Sequence, residues 1–166
     1  MDLLKRNSNP VSMSLLVGLL WLVCYMQSIT STEVCTGLVK TYKLSDTHYD
    51  PEYAEGSLAA CDEPLCCRLD SGEVKNDTDR AGRWGDLRFC DLPFRTLDNM
   101  LEHIGRKHNL DFAYWTGDLP PHDVWKITRE ANTKNFNTTT AAIFKRLRGL
   151  PVYPVVGNHE SVPPNM

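Results

Sequence analysis

The sequence predicts an α/β domain built on a parallel sheet with helices layered on it. Three observations predict it. Short apolar or aromatic runs at Leu38–Leu44, Asp111–Thr116 and Val152–Val156 read as strands, and stretches with helical spacing separate them. Two of the strands end in glycine followed by a polar residue: Tyr114-Trp115-Thr116-Gly117-Asp118, and forty residues on, Val155-Val156-Gly157-Asn158-His159-Glu160. Open α/β sheets gather their ligands outside the carboxyl ends of the strands, and the glycines permit the sharp turns needed there. The third strand runs into Ser45-Asp46-Thr47-His48, so Asp46, His48, Asp118 and Asn158 are expected at one rim of one sheet.

The chain has 166 residues, 42% hydrophobic and 23% charged, which suits at most one globular domain. Its formal charge of -3, with no basic run, excludes nucleic acid as a partner. Lys5 and Arg6 precede an apolar run from Leu15 to Met26, and small and polar residues follow from Ser28 to Thr32. That order is the form of a secretory signal peptide, shorter than the roughly 20 apolar residues of a membrane span. We therefore expect a signal peptide over residues 1–31 and one globular domain over 32–166.

Secretion changes how the cysteines read. Cys35, Cys61, Cys66, Cys67 and Cys90 remain after the signal, and clustered cysteines in an oxidising compartment are expected to be bridged. Four of them permit three pairings, and a bridge between adjacent Cys66 and Cys67 is disfavoured because it strains the peptide. Cys35 is left over. A zinc cluster of the same four is the weaker alternative, since the paired CxxC spacing is missing. The triplets Asn76-Asp77-Thr78 and Asn137-Thr138-Thr139 fit N-glycosylation acceptors and are expected on the surface.

In chain order, Lys40 and Lys43 make the first strand less apolar than a buried parallel strand. Tyr49 to Cys90 shows no sustained periodicity and needs the disulfides to stay ordered. A helix is expected to open at Asp91, with Pro93 in its first turn and Leu97, Met100, Leu101, Ile104 and His108 along one face. After the second strand, helical spacing returns through Trp125, Ile127 and Ala131. A further helix is expected, capped by Thr138 or Thr139, with Ile143, Phe144 and Leu147 inward and Gly149 closing it. Trp84, Trp115 and Trp125 are expected to pack inside.

The chemistry follows from the donor types. A pair of divalent ions about 3.5 to 4 Å apart clamps the attacking and leaving oxygens of a phosphoryl centre. Asp46, His48, Asp118 and Asn158 supply hard oxygen and imidazole donors, with Zn2+ the metal expected outside the cell. His159 is placed to protonate a departing alkoxide, because histidine titrates near working pH. An Asp-x-His pair alone is more often a turn than a metal site; the other two motifs reverse that.

Asp46-Thr47-His48, Gly117-Asp118 and Gly157-Asn158-His159-Glu160 resemble the first three motifs of the calcineurin-like metallophosphoesterases. The words DTHYD, CDEPLCCR, CDLP, YWTGDLPPHDVW and VYPVVGNHE resemble the acid sphingomyelinase branch, from about Leu38 to Met166. The resemblance implies that Asp46 and His48 bind zinc, that Asp118 bridges two zinc ions, and that Asn158 binds the second. It implies His159 as proton donor to the ceramide leaving group, His122 near the substrate phosphate, and the bridges Cys61–Cys66 and Cys67–Cys90. The implied substrate is sphingomyelin or a related phospholipid, cut to ceramide and phosphocholine at a membrane surface touched transiently, in a secreted or lysosomal setting. Such enzymes also carry a saposin-like domain and a second half with three further metal-binding histidines. Neither is in this sequence, so about half of the catalytic domain and impaired activity are expected. The alternatives are a secreted lipid- or partner-binding fragment without catalysis, and a nucleotide phosphodiesterase of the sphingomyelinase-like type.

Overall fold

Three strands, β1 (Thr41–Leu44), β2 (Phe112–Trp115) and β3 (Val152–Pro154), form a parallel sheet in the order β1-β2-β3. The computed structural model describes residues 39–164. The expected signal peptide, Leu38 and Cys35 lie outside the described residues. Lys43 and Leu44 pair with Tyr114 and Trp115, and Tyr114 pairs with Tyr153, so alternate residues share a face. Leu44, Ala113 and Trp115 are buried on one face, whereas Lys43, Tyr114 and Tyr153 are exposed on the other. Lys43 of β1 and Lys40 just before it thus sit where water reaches them.

Helix α1 (Phe94–Lys107) begins right after Pro93, which cannot donate an amide hydrogen and is tolerated at a helix start. Its Leu97, Leu101 and Ile104 are buried, as the spacing predicts, while His108 lies just past the end and is exposed. Helix α2 (Arg129–Arg146) replaces the two helical stretches expected from sequence. Thr128, not Thr138 or Thr139, is its cap, accepting a hydrogen bond from the Ala131 amide, so Trp125 and Ile127 stay in the preceding loop.

The reason is a polar inner face. Asn132, Asn135 and Thr139 are buried ahead of Ala142, Ile143 and Leu147, and Phe144 is 63% exposed rather than inward. Leu44, Leu97, Leu101, Ile104, Trp115, Leu119, Ala142, Ile143 and Leu147 make one core, which places both helices on the same face of the sheet. Trp115 is inside it, stacked on Phe136 at 5.7 Å, but Trp84 and Trp125 are 55% and 51% exposed, against expectation. No helix among the described residues is long and apolar enough to cross a membrane.

Arg146 of α2 holds Asp98 of α1 through two hydrogen bonds and keeps its carboxyl below the usual carboxylate range. A depressed folded-state value contributes stability above the unfolded value of about 3.9 and loses it as pH falls through the folded one. Asp98→Asn is therefore expected to lower the melting temperature at pH 7, with the gap to wild type closing progressively as melts are taken below the ordinary carboxylate value of about 3.9. A gap unchanged by acid would contradict this.

Cys61–Cys66 and Cys67–Cys90 are disulfides with Cα separations of 5.7 and 5.5 Å, so the zinc alternative is excluded for these sulfurs. They order the long segment between β1 and α1, where Ala59, Cys67 and Ala81 form a second small core. Asn76 and Asn137 are both exposed.

Candidate metal centre

The rim at the carboxyl ends of the strands is built by continuing the β1–β2 ladder past its last paired residues. The amides of Asp46, His48 and Tyr49 donate to the carbonyls of Gly117, Asp118 and Leu119 at 3.2, 3.0 and 2.8 Å. The path is tight. Asp46, His48 and Asp118 all adopt positive φ (52°, 37° and 57°), which costs non-glycine residues of order 1–3 kcal/mol each and persists only where the surroundings enforce it.

Glycine is required at two points. A Cβ on Gly117 would collide with the Gly157 backbone, and one on Gly157 would collide with Asp118, so the two strand-end loops approach closer than any side chain allows. Glu160 clamps them together. Its carboxylate accepts from the amides of Asp118 (3.0 Å), Leu119 (2.7 Å) and Gly157 (2.6 Å). From α2, the Asn132 side chain donates to the carbonyls of His159 and Glu160, and Asn135 donates to that of Tyr49. The polar face of α2 thus satisfies loop carbonyls that an apolar helix would leave bare.

This scaffold brings one donor atom each from Asp46, His48 and Asp118 within 4.8 Å of one another. The His48 Nδ1 lies 2.8 Å from the Pro120 carbonyl, which can only accept, so Nδ1 carries the proton and Nε2 is the free lone pair. Burial lowers the His48 pKa, opposed by that hydrogen bond, and so favours the neutral imidazole that a metal ligand must be. Carboxylate oxygens and a neutral imidazole fit a divalent cation such as zinc.

The other expected residues share the neighbourhood. The His159 amide donates to Asp118 Oδ1 at 2.9 Å, and Asn158 precedes it on the same loop. The rings of His122 and His159 lie 3.8 and 4.8 Å from that of His48, centroid to centroid. The rings of His103 and His108 meet edge to face, 5.6 Å apart, at the far end of α1, away from the rim.

Three residues of the site had no functional reading in the sequence. Asp91, read only as a helix start, accepts from the His122 amide and Nδ1, both at 2.7 Å. Glu160, which has no role of its own among the sequence expectations, is the clamp between the two strand-end loops. Arg68, buried with Asp50, donates to its two carboxylate oxygens at 2.8 and 2.9 Å and meets Asp123 at 3.0 Å. Arg68 therefore ties the disulfide segment to the loop that carries His122.

The sequence matches calcineurin-like phosphoesterases over residues 40–165. The chain belongs to that family. It is 48% identical over 122 residues to a Homo sapiens sphingomyelin phosphodiesterase, covering 74% of this chain and 19% of that protein. Over 123 residues it is 38% identical to sphingomyelin phosphodiesterase 1 of Caenorhabditis elegans, covering 74% and 21%. It is 31% identical over 127 residues to the cyclic GMP-AMP phosphodiesterase SMPDL3A of Bos taurus, covering 74% and 26%. This phosphoesterase chain thus spans about a fifth of the length of the sphingomyelin phosphodiesterases it matches. The family implies a two-metal centre, and the rim carries a donor set that fits one.

Proposed function

We propose that this phosphoesterase chain carries part of the catalytic centre of a zinc-dependent sphingomyelin phosphodiesterase. The observation that supports the reading best is the convergence of Asp46, His48 and Asp118 at the strand ends. In this reading Asp46 and His48 hold one zinc ion, Asp118 is shared by two, and Asn158 holds the second. Bound zinc would polarise the substrate phosphoryl group and offset its charge. His122, aimed by Asp91, would contact the phosphate, and His159 would give its proton to the ceramide oxygen as the P–O bond to it breaks, while water's oxygen bonds to the phosphorus of phosphocholine and the proton it sheds passes to solvent, from which His159 is recharged.

The exposed Trp84 and Trp125 suit a brief contact with a lipid surface, because indole rings settle at membrane interfaces. The two disulfides and the exposed Asn76 and Asn137 support a glycosylated protein of the secretory pathway, outside the cell or in lysosomes. Higher identity to the sphingomyelin phosphodiesterases than to SMPDL3A favours a phospholipid over a nucleotide substrate.

The test combines zinc calorimetry with a substrate panel of labelled sphingomyelin and a nucleotide phosphodiester. Asp118→Asn is expected to weaken zinc binding at least about a hundredfold, since losing even an outer partner of a metal ligand costs 10–100-fold. Any turnover by these 166 residues is expected to be slow, selective for sphingomyelin and absent from the variant. Zinc affinity unchanged by Asp118→Asn, or faster turnover of the nucleotide, would overturn the reading.

A further inference from the structure

We propose that the open face of the sheet is the docking surface for a second copy of this chain, joining two copies across a two-fold axis that runs along β2. Strand alternation builds the face. Thr41 and Lys43 of β1, Phe112 and Tyr114 of β2 and Tyr153 of β3 point away from the helices, and Val155, one alternation beyond Tyr153, follows them. Tyr114, Tyr153 and Val155 are 46%, 55% and 59% exposed, and the rings of Phe112, Tyr114 and Tyr153 touch one another. Among the described residues α1 and α2 both pack on the opposite face. Parallel sheets are as a rule covered on both faces, so a bare aromatic one is a surface short of a partner.

The area fits a second copy. Two half-exposed tyrosines, with Val155, Phe112, Thr41 and Lys43 around them, present about 500 Å² when a whole aromatic side chain carries about 150–250 Å². Paired face to face, two such surfaces remove about 1,000 Å² from water, the lower bound for a specific interface. Sheet extension is the rival route to self-association, and the edges discourage it. Strands β1 and β3 are only 4 and 3 residues long, and β3 ends in Pro154, which has no amide hydrogen to offer a further strand.

Charge sets the arrangement. Strand register puts Lys43, Tyr114 and Tyr153 in one row across the sheet, and Lys43 is the one charged side chain of the face. An axis across the strands would stack β1 on β1 and bring two ammonium groups together. An axis along β2 instead lays β1 of one copy over β3 of the other, so each Lys43 meets the ring of the opposite Tyr153 while Tyr114 packs on Tyr114 near the axis. A cation is attracted to an aromatic face, and symmetry makes the contact twice. Aligned sheets pack about 10 Å apart with strand directions within about 30° of each other, a gap that interdigitating tyrosines fill. The inference does not rest on the proposed reaction. Its consequence for the rim is that the same axis turns both candidate metal centres toward one side of the dimer.

The experiment is analytical ultracentrifugation of the purified chain over about 1–100 µM, with hydroxyl-radical footprinting of its side chains at both ends of that range. The expected result is a dimer with a Kd on the order of micromolar, since an interface of this size sits at the weak end of specific association. Tyr114 and Tyr153 are expected to react at least about twofold more slowly at the higher concentration, while the exposed Trp84 and Trp125 react as before. Tyr153→Lys sets a lysine against Lys43 of the other copy and is expected to weaken the dimer at least about tenfold; adding Lys43→Glu restores it. A wild type that stays monomeric at about 100 µM overturns the proposal, whether a lipid vesicle or further polypeptide then proves to cover the face. So does a dimer that leaves Tyr114 and Tyr153 fully reactive, or a double variant that binds no tighter than Tyr153→Lys. Should circular dichroism show a variant unfolded, the wild-type mass and footprint, which need no substitution, decide.

Discussion

Replacing Glu160 by Ala is expected to destabilise the described domain by about 3–5 kcal/mol and to weaken zinc binding about 10–100-fold. Three backbone amides lose their acceptor at once, and each unsatisfied donor costs about 1–3 kcal/mol, discounted here because the rim is only half buried. The lost clamp also frees the Gly157–Glu160 loop from the Gly117–Leu119 loop, so Asp118 and Asn158 part company. Glu160→Gln should fall between, since it keeps one oxygen but turns an amide hydrogen toward donors. Urea melts and zinc calorimetry on the three proteins check this. Wild-type zinc affinity in Glu160→Ala would show that the clamp does not hold the site.

Arg68→Ala is expected to cost about 3–5 kcal/mol, the range for removing one partner of a buried ion pair. Arg68 and Asp50 are almost wholly buried, and burial pushes the Asp50 carboxyl up even though Arg68 hydrogen bonds oppose it. Left alone, Asp50 carries an uncompensated charge. Asp123 loses its partner too, so the Pro120–Asp123 loop and His122 on it should loosen. The double variant Arg68→Met/Asp50→Leu is expected to recover part of the loss, because two apolar groups remove the stranded charge. Equal stability of Arg68→Ala and wild type in a urea melt would show that the pair is not the anchor described.

The strands and their rim were legible because each signal was local. An apolar run, a glycine and a polar residue sit next to one another at Trp115-Thr116-Gly117-Asp118 and at Val156-Gly157-Asn158, so the chain itself announces where a strand ends and what it delivers. Helix α1 was legible for the same reason, with Leu97, Leu101 and Ile104 on one face. Helix α2 was not, because its inner face is chosen by what it touches. Asn132 and Asn135 go inside to reach the carbonyls of His159, Glu160 and Tyr49, and no periodicity of apolar residues records that. Asp91, Arg68 and Glu160 were missed in the same way. Asp91 lies 31 residues before His122 in the sequence, and Arg68 18 after Asp50, separations over which only the folded chain makes them neighbours.

The exposed face of the sheet shows what the rim does not depend on. Phe112, Tyr114 and Tyr153 touch ring to ring there, with centroids 5.1 to 6.3 Å apart, on the opposite side from the helices that anchor the loops. The contacts that position Asp46, His48 and Asp118 come instead from the strand ends, Glu160, the Pro120 carbonyl and the Leu92 amide, which donates to the His48 carbonyl.

Zinc-edge anomalous diffraction from crystals of the chain grown with zinc puts the central claim to its most direct trial. The account predicts an anomalous peak about 2.0–2.2 Å from donor atoms of both His48 and Asp118. Zinc bound elsewhere, with no peak touching Asp118, would contradict it.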